Sequence, residues 1–306
     1  MVAGAKVWRE GDATRGHGRR RLQRKTWAME LSPPELLIVM PVFNEQASVR
    51  KAVLEWFEEI ENWTEKFVFL AINDGSTDGT ARILVRLRDH LGPRFELLDQ
   101  ANCGHGQSCL RGYRVAAERG VPFVFQIDSD GQCDPQYFFK FWRQRETFDV
   151  IYGHRTRRED GSRRVVASGV VKLFLLILFR VWCADANVPY RLMRTAAIAP
   201  FLPRVQRDFS LANIGLAVWL RKNKAVVRHG AVPIHFRPRY GGEPAVSFGK
   251  VGAKAGELFR QLRGMLRGDE TVNQNAVRGL AAGNRPDRNG PFPGVAAARP
   301  SSNADS

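Results

Sequence analysis

Strand-like and helix-like segments alternate along residues 35–153, and this alternation limits the possible folds more than any other feature of the chain. Short apolar runs such as ELLIVMPV, KFVFLAIN and PFVFQID are each followed by a polar turn and a segment with helical spacing. Strands that alternate with helices of this length predict a mostly parallel, doubly wound α/β sheet with helices on both faces.

The second half of the chain shows a less regular pattern. An Arg-rich loop at 154–164 precedes an apolar helix at about 165–183. Another helix is predicted at 209–223, followed by a strand within 225–236. We expect this half to cover the sheet rather than to fold as an independent domain. The folded region is therefore predicted to span residues 31–266.

The two ends of the chain differ in composition from the middle. Residues 1–30 contain RGHGRRRLQRK without apolar periodicity and are predicted to be a disordered basic arm, with Met29 as an alternative translation start. Residues 267–306 are rich in Gly, Asn, Pro, Arg, Ala and Ser and are predicted to be a disordered tail. Of the net charge of +16, these ends carry +5 and +1, so residues 31–266 carry +10. A basic body favours an anionic partner: nucleic acid, a nucleotide phosphate or an acidic membrane surface.

Cysteine usage and hydropathy exclude several kinds of protein. Cys103, Cys109, Cys133 and Cys183 form no C-x-x-C pair, which argues against a zinc site. The longest apolar run, LFLLILF at residues 173–179, is too short to span a bilayer. We therefore expect a reduced, cytoplasmic protein that is soluble or peripheral.

The helix that contains this apolar run has two interpretations. Lys172, Arg180 and Trp182 flank it, which is typical of a helix that lies in a membrane interface. The same apolar residues are equally compatible with a helix packed in the core. Peripheral contact with the inner face of the membrane is therefore one of two alternatives that the sequence leaves open.

Polar residues follow three of the predicted strands, with the sequences PVFNE, NDGSTDGT and DSDGQ. Ligands of open α/β sheets bind beyond the carboxyl ends of the strands, where these residues are expected to meet. Asp74 can read a bound base or hold a metal there, although Asp is also an ordinary turn former. We favour the functional role because the three polar segments share one edge of the predicted sheet. Ser76 or Thr77 is expected to cap the helix that follows.

Asp128, Asp130 and Gln132 occupy alternate positions, so their side chains point to the same side if the segment is extended. Two carboxylates and an amide oxygen suit Mg²⁺ or Mn²⁺ that also holds substrate phosphates. The alternative is a solvated loop in which Asp134 caps a helix, and capping is the only role we expect for Asp134. No glycine-rich phosphate loop opens the first helix, which excludes a P-loop or dinucleotide site. A nucleotide-sugar site, with its diphosphate on the metal, fits these residues best.

Four sequence blocks, MPVFNE, NDGSTDGT, NCGHGQS and QIDSDGQ, occur in the order and spacing of a known enzyme family. In these blocks the chain resembles the family-2 glycosyltransferases of the GT-A fold, and the dolichol- and polyprenyl-phosphate sugar transferases are the nearest branch. The resemblance covers about residues 35–250. It implies a GT-A domain over 31–266, with a nucleotide-sugar-binding half at 31–153 and an acceptor-side half, a subdomain at 154–266.

The resemblance also assigns roles to individual residues. It implies donor-binding roles for Pro41, Phe43, Glu45, Asp74, Ser129 and Arg155. It implies metal-binding roles for Asp128, Asp130 and Gln132, and catalytic roles for Asp128, Asp130 and Asp185. It implies acceptor- or phosphate-binding roles for Arg191, Arg237 and Arg239, the last in an R-x-x-G motif that ends at Gly242. Phe43 stands where relatives more often have Tyr, and Pro244 where they often have Ser or Thr.

These features together predict an inverting, metal-dependent glycosyltransferase that uses a nucleotide diphosphate sugar and Mg²⁺ or Mn²⁺. The preferred acceptor is a polyprenyl phosphate, whose oxygen is already ionised. If the acceptor is a hydroxyl of a sugar or glycolipid instead, Asp185 is the first candidate for the general base. A nucleotidyltransferase would need a basic signature near the first strand, which PVFNE lacks. A nucleic-acid-binding protein built on the basic arms is the alternative from another class, but GRRRLQRK has no interleaved aromatic residues and predicts only nonspecific binding.

Overall fold

The computed structural model describes residues 33–155, 175–182, 188–205, 209, 211–241 and 251–267. Its strands are β1 (Leu36–Val42), β2 (Phe67–Asp74), β3 (Phe95–Gln100), β4 (Phe123–Gln126), β5 (Val150–Arg155), β6 (Arg191–Arg194) and β7 (His229–Ile234). They form one sheet in the order β3-β2-β1-β4-β6-β5-β7. Its strand pairings are parallel except the two that β6 makes with β4 and β5. The predicted mostly parallel α/β sheet is confirmed.

Helices connect these strands or follow them. They are α1 (Val49–Glu61), α2 (Thr80–Leu91), α3 (His105–Glu118), α4 (Phe138–Arg143), α5 (residues 175–179), α6 (Thr195–Ile198), α7 (Ala212–Lys222) and α8 (Val251–Arg267). The sequence pattern predicts α1 to α4, α7 and a helix at about 165–183, of which residues 175–179 form α5 and residues 165–174 lie outside the described residues. It does not predict α6 or α8. Within the described residues, no helix combines the length and the apolar character needed to cross a membrane.

Two neighbouring residues of β4 show that helices cover both faces of the sheet. The Phe125 ring packs against Trp56 of α1, with the ring centroids 5.5 Å apart. The next residue, Gln126, accepts a hydrogen bond from the Tyr113 hydroxyl of α3. Because successive side chains of a strand point to opposite faces, α1 and α3 lie on opposite faces of the sheet.

A glycine allows α3 to lie close to the centre of the sheet. A Cβ atom at Gly112 would lie 2.3 Å from a methyl carbon of Val39, in the middle of β1. A larger residue would therefore push the helix away from the sheet. The close packing also fixes the first turn of α3 near the carboxyl ends of β1 and β4.

The short strand β6 changes the expected organisation of the second half. It lies between β4 and β5, with Arg191 opposite both Gln126 and Tyr152. Its sequence, RLMR, has no apolar run, so its extended state follows from pairing with two neighbours rather than from a local pattern. The second half therefore contributes β6 and β7 to the sheet, in addition to covering it.

Candidate active site

The loops that follow β1 and β2 are hydrogen-bonded to each other. The backbone N–H of Thr77 donates to Asn44 Oδ1 at 2.8 Å, and the N–H of Asn44 donates to Ser76 Oγ at 3.1 Å. The N–H of Glu45 donates to Thr80 Oγ1 at 2.9 Å. Asn44 has a φ of +53°, in the left-handed region that Asn tolerates better than most residues. These contacts hold two of the predicted polar segments together at one edge of the sheet.

The expected cap of α2 is wrong. Ser76 and Thr77 bind the loop after β1, and the N-cap position belongs to Gly79. Asp78 Oδ1 accepts from the backbone N–H of Thr80 at 2.9 Å. Ser76 and Thr77 do not cap α2 because they bind Asn44 in the loop after β1 instead. The local sequence does not reveal this contact.

Asp74, at the end of β2, is buried and accepts several hydrogen bonds. It accepts hydrogen bonds from the backbone N–H groups of Cys103 and Gly104, both at 2.9 Å, and from Gln100 Nε2 at 2.8 Å. Burial acts to raise the pKa of Asp74, but these hydrogen bonds outweigh it and the pKa lies below its ordinary value. The ionised carboxylate thus anchors the loop before α3. Its expected contact with a donor base stays a prediction.

The acidic loop, residues 127–133, follows β4 directly. It bends around Gly131, whose φ is +80°, so the segment is not extended. The alternation expected for Asp128, Asp130 and Gln132 therefore does not hold, because a left-handed residue interrupts the strand-like pleat. Asp130 Oδ1 instead accepts from the backbone N–H of Gln132 at 3.0 Å.

The 236–241 segment runs beside the acidic loop. The backbone N–H of Arg237 donates to the Gln132 carbonyl at 2.9 Å, and the N–H of Tyr240 donates to the Asp130 carbonyl at 3.1 Å. A segment distant in sequence is thereby fixed against the predicted metal-binding residues.

Arg239 joins three parts of the site. Its Nη2 donates to Glu45 Oε1, and its Nη1 lies 3.5 Å from Asp130 Oδ2. Its Nε donates to the Gly241 carbonyl at 2.7 Å, which fixes the orientation of the guanidinium. Glu45, Asp130 and Arg239, each predicted from the sequence, are therefore brought together.

The carboxylates of this site influence each other. Burial raises the pKa of Glu45, and hydrogen bonds from Ser48 Oγ, at 2.6 Å, and from Arg239 offset the rise only in part. Burial also raises the pKa of Asp128 to about 6, with the carboxylates of Asp130 and Glu45 adding to the rise. Several carboxylates that lie close together in a partly buried site attract a cation strongly.

His105, the first residue of α3, faces Asp128. Its Nε2 lies 3.7 Å from Asp128 Oδ1 and 3.5 Å from Cys109 Sγ. The Cys109 sulfur and the Asp128 carboxylate raise the pKa of His105, which favours the charged imidazolium. His105 therefore makes a direct electrostatic contact with the acidic loop.

The acidic loop offers the oxygen donors that Mg²⁺ and Mn²⁺ prefer. Asp128 Oδ1 is buried and accepts no hydrogen bond from the described residues, and its nearest charged neighbour is His105 Nε2, at 3.7 Å. Within the described part of the chain, no three His, Cys, Asp or Glu side chains form a ready metal cluster. A cation would therefore need oxygen atoms from the substrate or from Gln132 in addition to the carboxylates.

The remaining predicted donor-side residues lie around these loops. Pro41 and Ser129 are buried, whereas Phe43 is 38% exposed at the end of β1. The Arg155 guanidinium lies 5.1 Å from the centroid of the Phe236 ring, next to the 236–241 segment. The exposed ring of Phe43, just after the end of β1, is available to stack on a flat ligand group.

The acceptor-side residues are more scattered. Arg191 is completely buried and donates to the carbonyls of Val188 and Asn213, at 2.7 and 3.0 Å, so in this conformation it supports the sheet interior. Its acceptor-binding role stays a prediction. Asp185, Gly242, Pro244 and the Arg-rich segment after Arg155 lie outside the described residues.

Two residues of the site carry no signal in the sequence that identifies them. Tyr240 and Glu55 bind each other across 185 positions of the chain. The glycine that follows Tyr240 marks a turn, but Glu55 has the ordinary spacing of a polar residue on a helix. Only the folded arrangement reveals their contact.

The mostly parallel seven-stranded sheet, with helices on both faces, has the GT-A fold. Residues 37–187 match the family model described as glycosyl transferase family 2, so the chain carries a family-2 glycosyltransferase domain. The family predicted from the sequence blocks is thereby confirmed.

Curated relatives include sugar transferases of bacteria. An uncharacterized glycosyltransferase of Bacillus subtilis (strain 168), YkcC, is 29% identical over 126 residues, which are 40% of this chain and 37% of that protein. The undecaprenyl-phosphate 4-deoxy-4-formamido-L-arabinose transferase of Salmonella choleraesuis (strain SC-B67) is 24% identical over 214 residues, which are 69% of this chain and 62% of that protein. The matches thus cover less than two thirds of the length of either relative.

Solved structures of glucosyl-3-phosphoglycerate synthase from Mycobacterium tuberculosis have the same fold. The complex with Mn²⁺, UDP-glucose and phosphoglyceric acid gives a TM-score of 0.56 at 15% identity, covering 81% of this chain and 88% of that one. The complex with Mn²⁺, UDP and phosphoglyceric acid gives 0.55 at 14% identity, covering 76% and 77%. The likeness confirms the predicted GT-A fold.

Proposed function

We propose that the protein transfers one sugar, with inversion, from a nucleotide diphosphate sugar to an acceptor. The observation that carries this proposal is the meeting of Glu45, Asp130 and Arg239 at the carboxyl ends of β1 and β4. In the reaction, an acceptor oxygen forms a bond to the anomeric carbon while the bond to the nucleotide diphosphate breaks on the opposite side. The negative charge then develops on the leaving diphosphate, next to the Arg239 guanidinium.

A divalent cation is part of the proposal. Asp128, Asp130 and Gln132 would hold Mg²⁺ or Mn²⁺, and the cation would supply further positive charge to the leaving diphosphate. The solved neighbour contains Mn²⁺ with UDP-glucose, which supports this choice. On the donor side, Pro41, Phe43, Glu45, Asp74, Ser129 and Arg155 are proposed to bind the nucleotide sugar.

The preferred acceptor is a polyprenyl phosphate. The Salmonella relative is an undecaprenyl-phosphate sugar transferase, which supports a lipid phosphate acceptor here. Arg237 and Arg239 lie on one segment beside the acidic loop, and their planar guanidinium groups suit phosphate oxygens. Arg191 would contribute only if its buried side chain were rearranged.

An exposed apolar surface supports contact with a membrane, which we place at the inner face. Four large side chains close together in sequence are exposed on and after α5: Leu176, Ile177, Leu178 and Trp182. The side chain of Phe179, which follows Leu178, is buried and packs against Phe259 of α8, with ring centroids 5.9 Å apart. Arg260 and Arg263 of α8 are exposed, so basic and apolar groups lie on adjoining elements, as suits an anionic lipid surface.

The proposed function is tested by donor binding. Thermal-shift screening with UDP-, GDP- and dTDP-sugars, each with and without Mn²⁺, should reveal a donor that stabilises the protein only with metal. Asp130→Asn should weaken that binding about 10- to 100-fold and lose most turnover, because a ligand of the cation is weakened. Asp89→Asn, on the exposed surface of α2, is the matched control. Undiminished transfer by Asp130→Asn at low metal concentration contradicts the metal assignment.

The acceptor class is tested at Asp185. A phosphate acceptor, with its second ionisation near pH 6, needs no general base above that pH. Asp185→Asn should therefore keep substantial activity, and turnover should reach a plateau by about neutral pH. A steep loss of turnover in Asp185→Asn, with donor binding intact, would instead indicate a hydroxyl acceptor.

A further inference from the structure

A cluster of side chains ties the 236–241 segment to α1. The Tyr240 hydroxyl donates to Glu55 Oε2 at 2.6 Å, and Arg237 Nη2 donates to the same oxygen at 2.8 Å. Lys51 Nζ lies 3.8 Å from Glu55 Oε1 and 4.0 Å from the centroid of the Tyr240 ring. Glu55 is therefore the point where two residues of the segment are attached to the helix.

The ring of Tyr240 packs against the acidic loop. A Cβ atom at Gly131 would lie 2.3 Å from Cδ2 of the Tyr240 ring, so the ring is in direct contact with the loop backbone. The backbone N–H of Tyr240 also donates to the carbonyl of Asp130. Tyr240 is thus held by α1 at its hydroxyl and by the acidic loop at its ring and backbone.

We propose that Tyr240 and Glu55 are positioning residues that hold Asp130 and Arg239 in the geometry that binds the diphosphate of the donor. This inference rests on the proposed function, and it assigns a role to two residues to which no predicted motif gives one: Glu55, and Tyr240 at a variable position of the R-x-x-G motif. Neither residue needs to touch the substrate. Each acts through the acidic loop and through the segment that carries Arg239.

The helix that carries Glu55 is packed into the core. Glu55 precedes Trp56, which is 1% exposed and packs against Phe125 and Tyr190 in the core. Arg239 is the neighbour of Tyr240 in the chain, and Asp130 is the neighbour of Gly131, so movement of Tyr240 displaces both functional groups. Charged groups in a site lose much of their effect when they move by about 1 Å.

The test compares Tyr240→Phe, Glu55→Gln and Glu55→Ala with two matched controls. Tyr137→Phe removes the hydroxyl of another partly exposed tyrosine, and Glu59→Gln changes the next turn of α1, where the carboxylate accepts from Trp63 Nε1 at 2.9 Å. Hydrogen–deuterium exchange in peptides that cover the acidic loop and the 236–241 segment measures the attachment itself. Donor KM and kcat at fixed Mn²⁺ measure its consequence.

We expect faster exchange in both peptides and a rise of about tenfold in donor KM for Tyr240→Phe, the factor that corresponds to one hydrogen bond to a charged group. Glu55→Gln, which keeps an acceptor oxygen, should be milder than Glu55→Ala. The melting temperatures of Tyr240→Phe and Glu55→Gln should stay close to those of the controls.

Unchanged exchange overturns the inference, and so does faster exchange with unchanged KM and kcat, because the pair would then be merely structural. Failure of the proposed function looks different: the unmodified protein itself would bind none of the nucleotide sugars with Mn²⁺ or Mg²⁺.

Discussion

Arg239 lies where a divalent cation would also be attracted. Its guanidinium meets the carboxylates of Glu45 and Asp130, and its side chain is only 22% exposed. A partly buried arginine between two carboxylates neutralises charge that would otherwise repel. If the protein binds a cation and a nucleotide sugar as proposed, Arg239 would compete with the cation in the absence of donor. The bound diphosphate would then offer Arg239 a second set of oxygen atoms.

Substitution of Arg239 should separate these two effects. We expect Arg239→Gln to bind Mn²⁺ about tenfold more tightly without donor, because a nearby positive charge is removed. The same variant should lose turnover, because the leaving diphosphate loses a cationic partner. Calorimetric titration with Mn²⁺ and steady-state kinetics provide the two measurements.

The control for this experiment is Arg143→Gln, an arginine on α4 whose guanidinium lies 5.4 Å from the Trp63 ring centroid. It should leave both quantities unchanged. Equal Mn²⁺ affinity in Arg239→Gln and the unmodified protein would show that Arg239 does not compete with the cation.

Asp149 joins the three strands at the edge of the sheet. It immediately precedes β5, and its carboxylate accepts from the backbone N–H and the guanidinium of Arg228, just before β7, at 2.8 and 3.0 Å. Arg194, the last residue of β6, lies 3.5 Å from the same carboxylate. Since β6 has only four residues, such ties between neighbouring strands help to keep it in place.

The Asp149 carboxylate also makes stability depend on pH. Burial acts to raise its pKa, but hydrogen bonds from Arg228 outweigh it, so the pKa is lower in the folded protein than in the unfolded chain. A lowered pKa means that the folded state favours the ionised form. Its contribution is therefore complete well above the unfolded value of about 4 and is lost as the pH falls through the lower folded value.

We expect Asp149→Asn to lower the free energy of unfolding by about 2 kcal/mol at pH 7, as two arginines lose an ionised partner. The difference from the unmodified protein should shrink as the pH falls below about 4. Urea denaturation of both proteins at pH 7 and pH 3.5 measures this difference in the free energy of unfolding, with Asp89→Asn as an exposed control. A difference that is the same at both pH values would contradict this account.

The apolar surface at α5 and the exposed arginines of α8 belong to parts of the chain far apart in sequence, joined by the contact of Phe179 with Phe259. Ile177 and Trp182 are 66% and 62% exposed, more than any other large apolar side chain of the described residues. Exposed apolar groups beside basic ones are typical of a surface that touches lipid.

We expect the protein to float with anionic vesicles, and less so at high salt, because the attraction of basic groups is screened. Ile177→Asp and Trp182→Ser should each reduce flotation several-fold, since each removes apolar area from the lipid contact. Trp63→Ser, an exposed tryptophan after α1, is the control. Equal flotation of all four proteins, or none at any salt concentration, would exclude this surface as the point of contact.

Local patterns in the sequence determine the strands β1 to β4, the helices between them and the polar residues at the strand ends. Each of these features depends on residues that are close together in the chain. The alternation of strand-like and helix-like segments and the spacing of apolar residues therefore specify them. Asp134 is an example: it is predicted as a cap from its neighbours alone, and its Oδ1 accepts from the N–H of Gln136 at 3.1 Å. The order of the four sequence blocks was likewise sufficient to predict the glycosyltransferase family.

The tertiary structure alone decides which of these residues work together. Arg239 meets Glu45 across 194 positions of the chain, and no local period reports such a contact. The same holds for Arg191, for which the family resemblance implies an acceptor-binding role and which lies completely buried on β6. Pairing between distant strands and burial of charged groups both depend on which residues from the rest of the chain lie nearby. The sequence therefore predicts the fold and the residues at the strand ends. It does not predict the contacts between distant residues that complete the site.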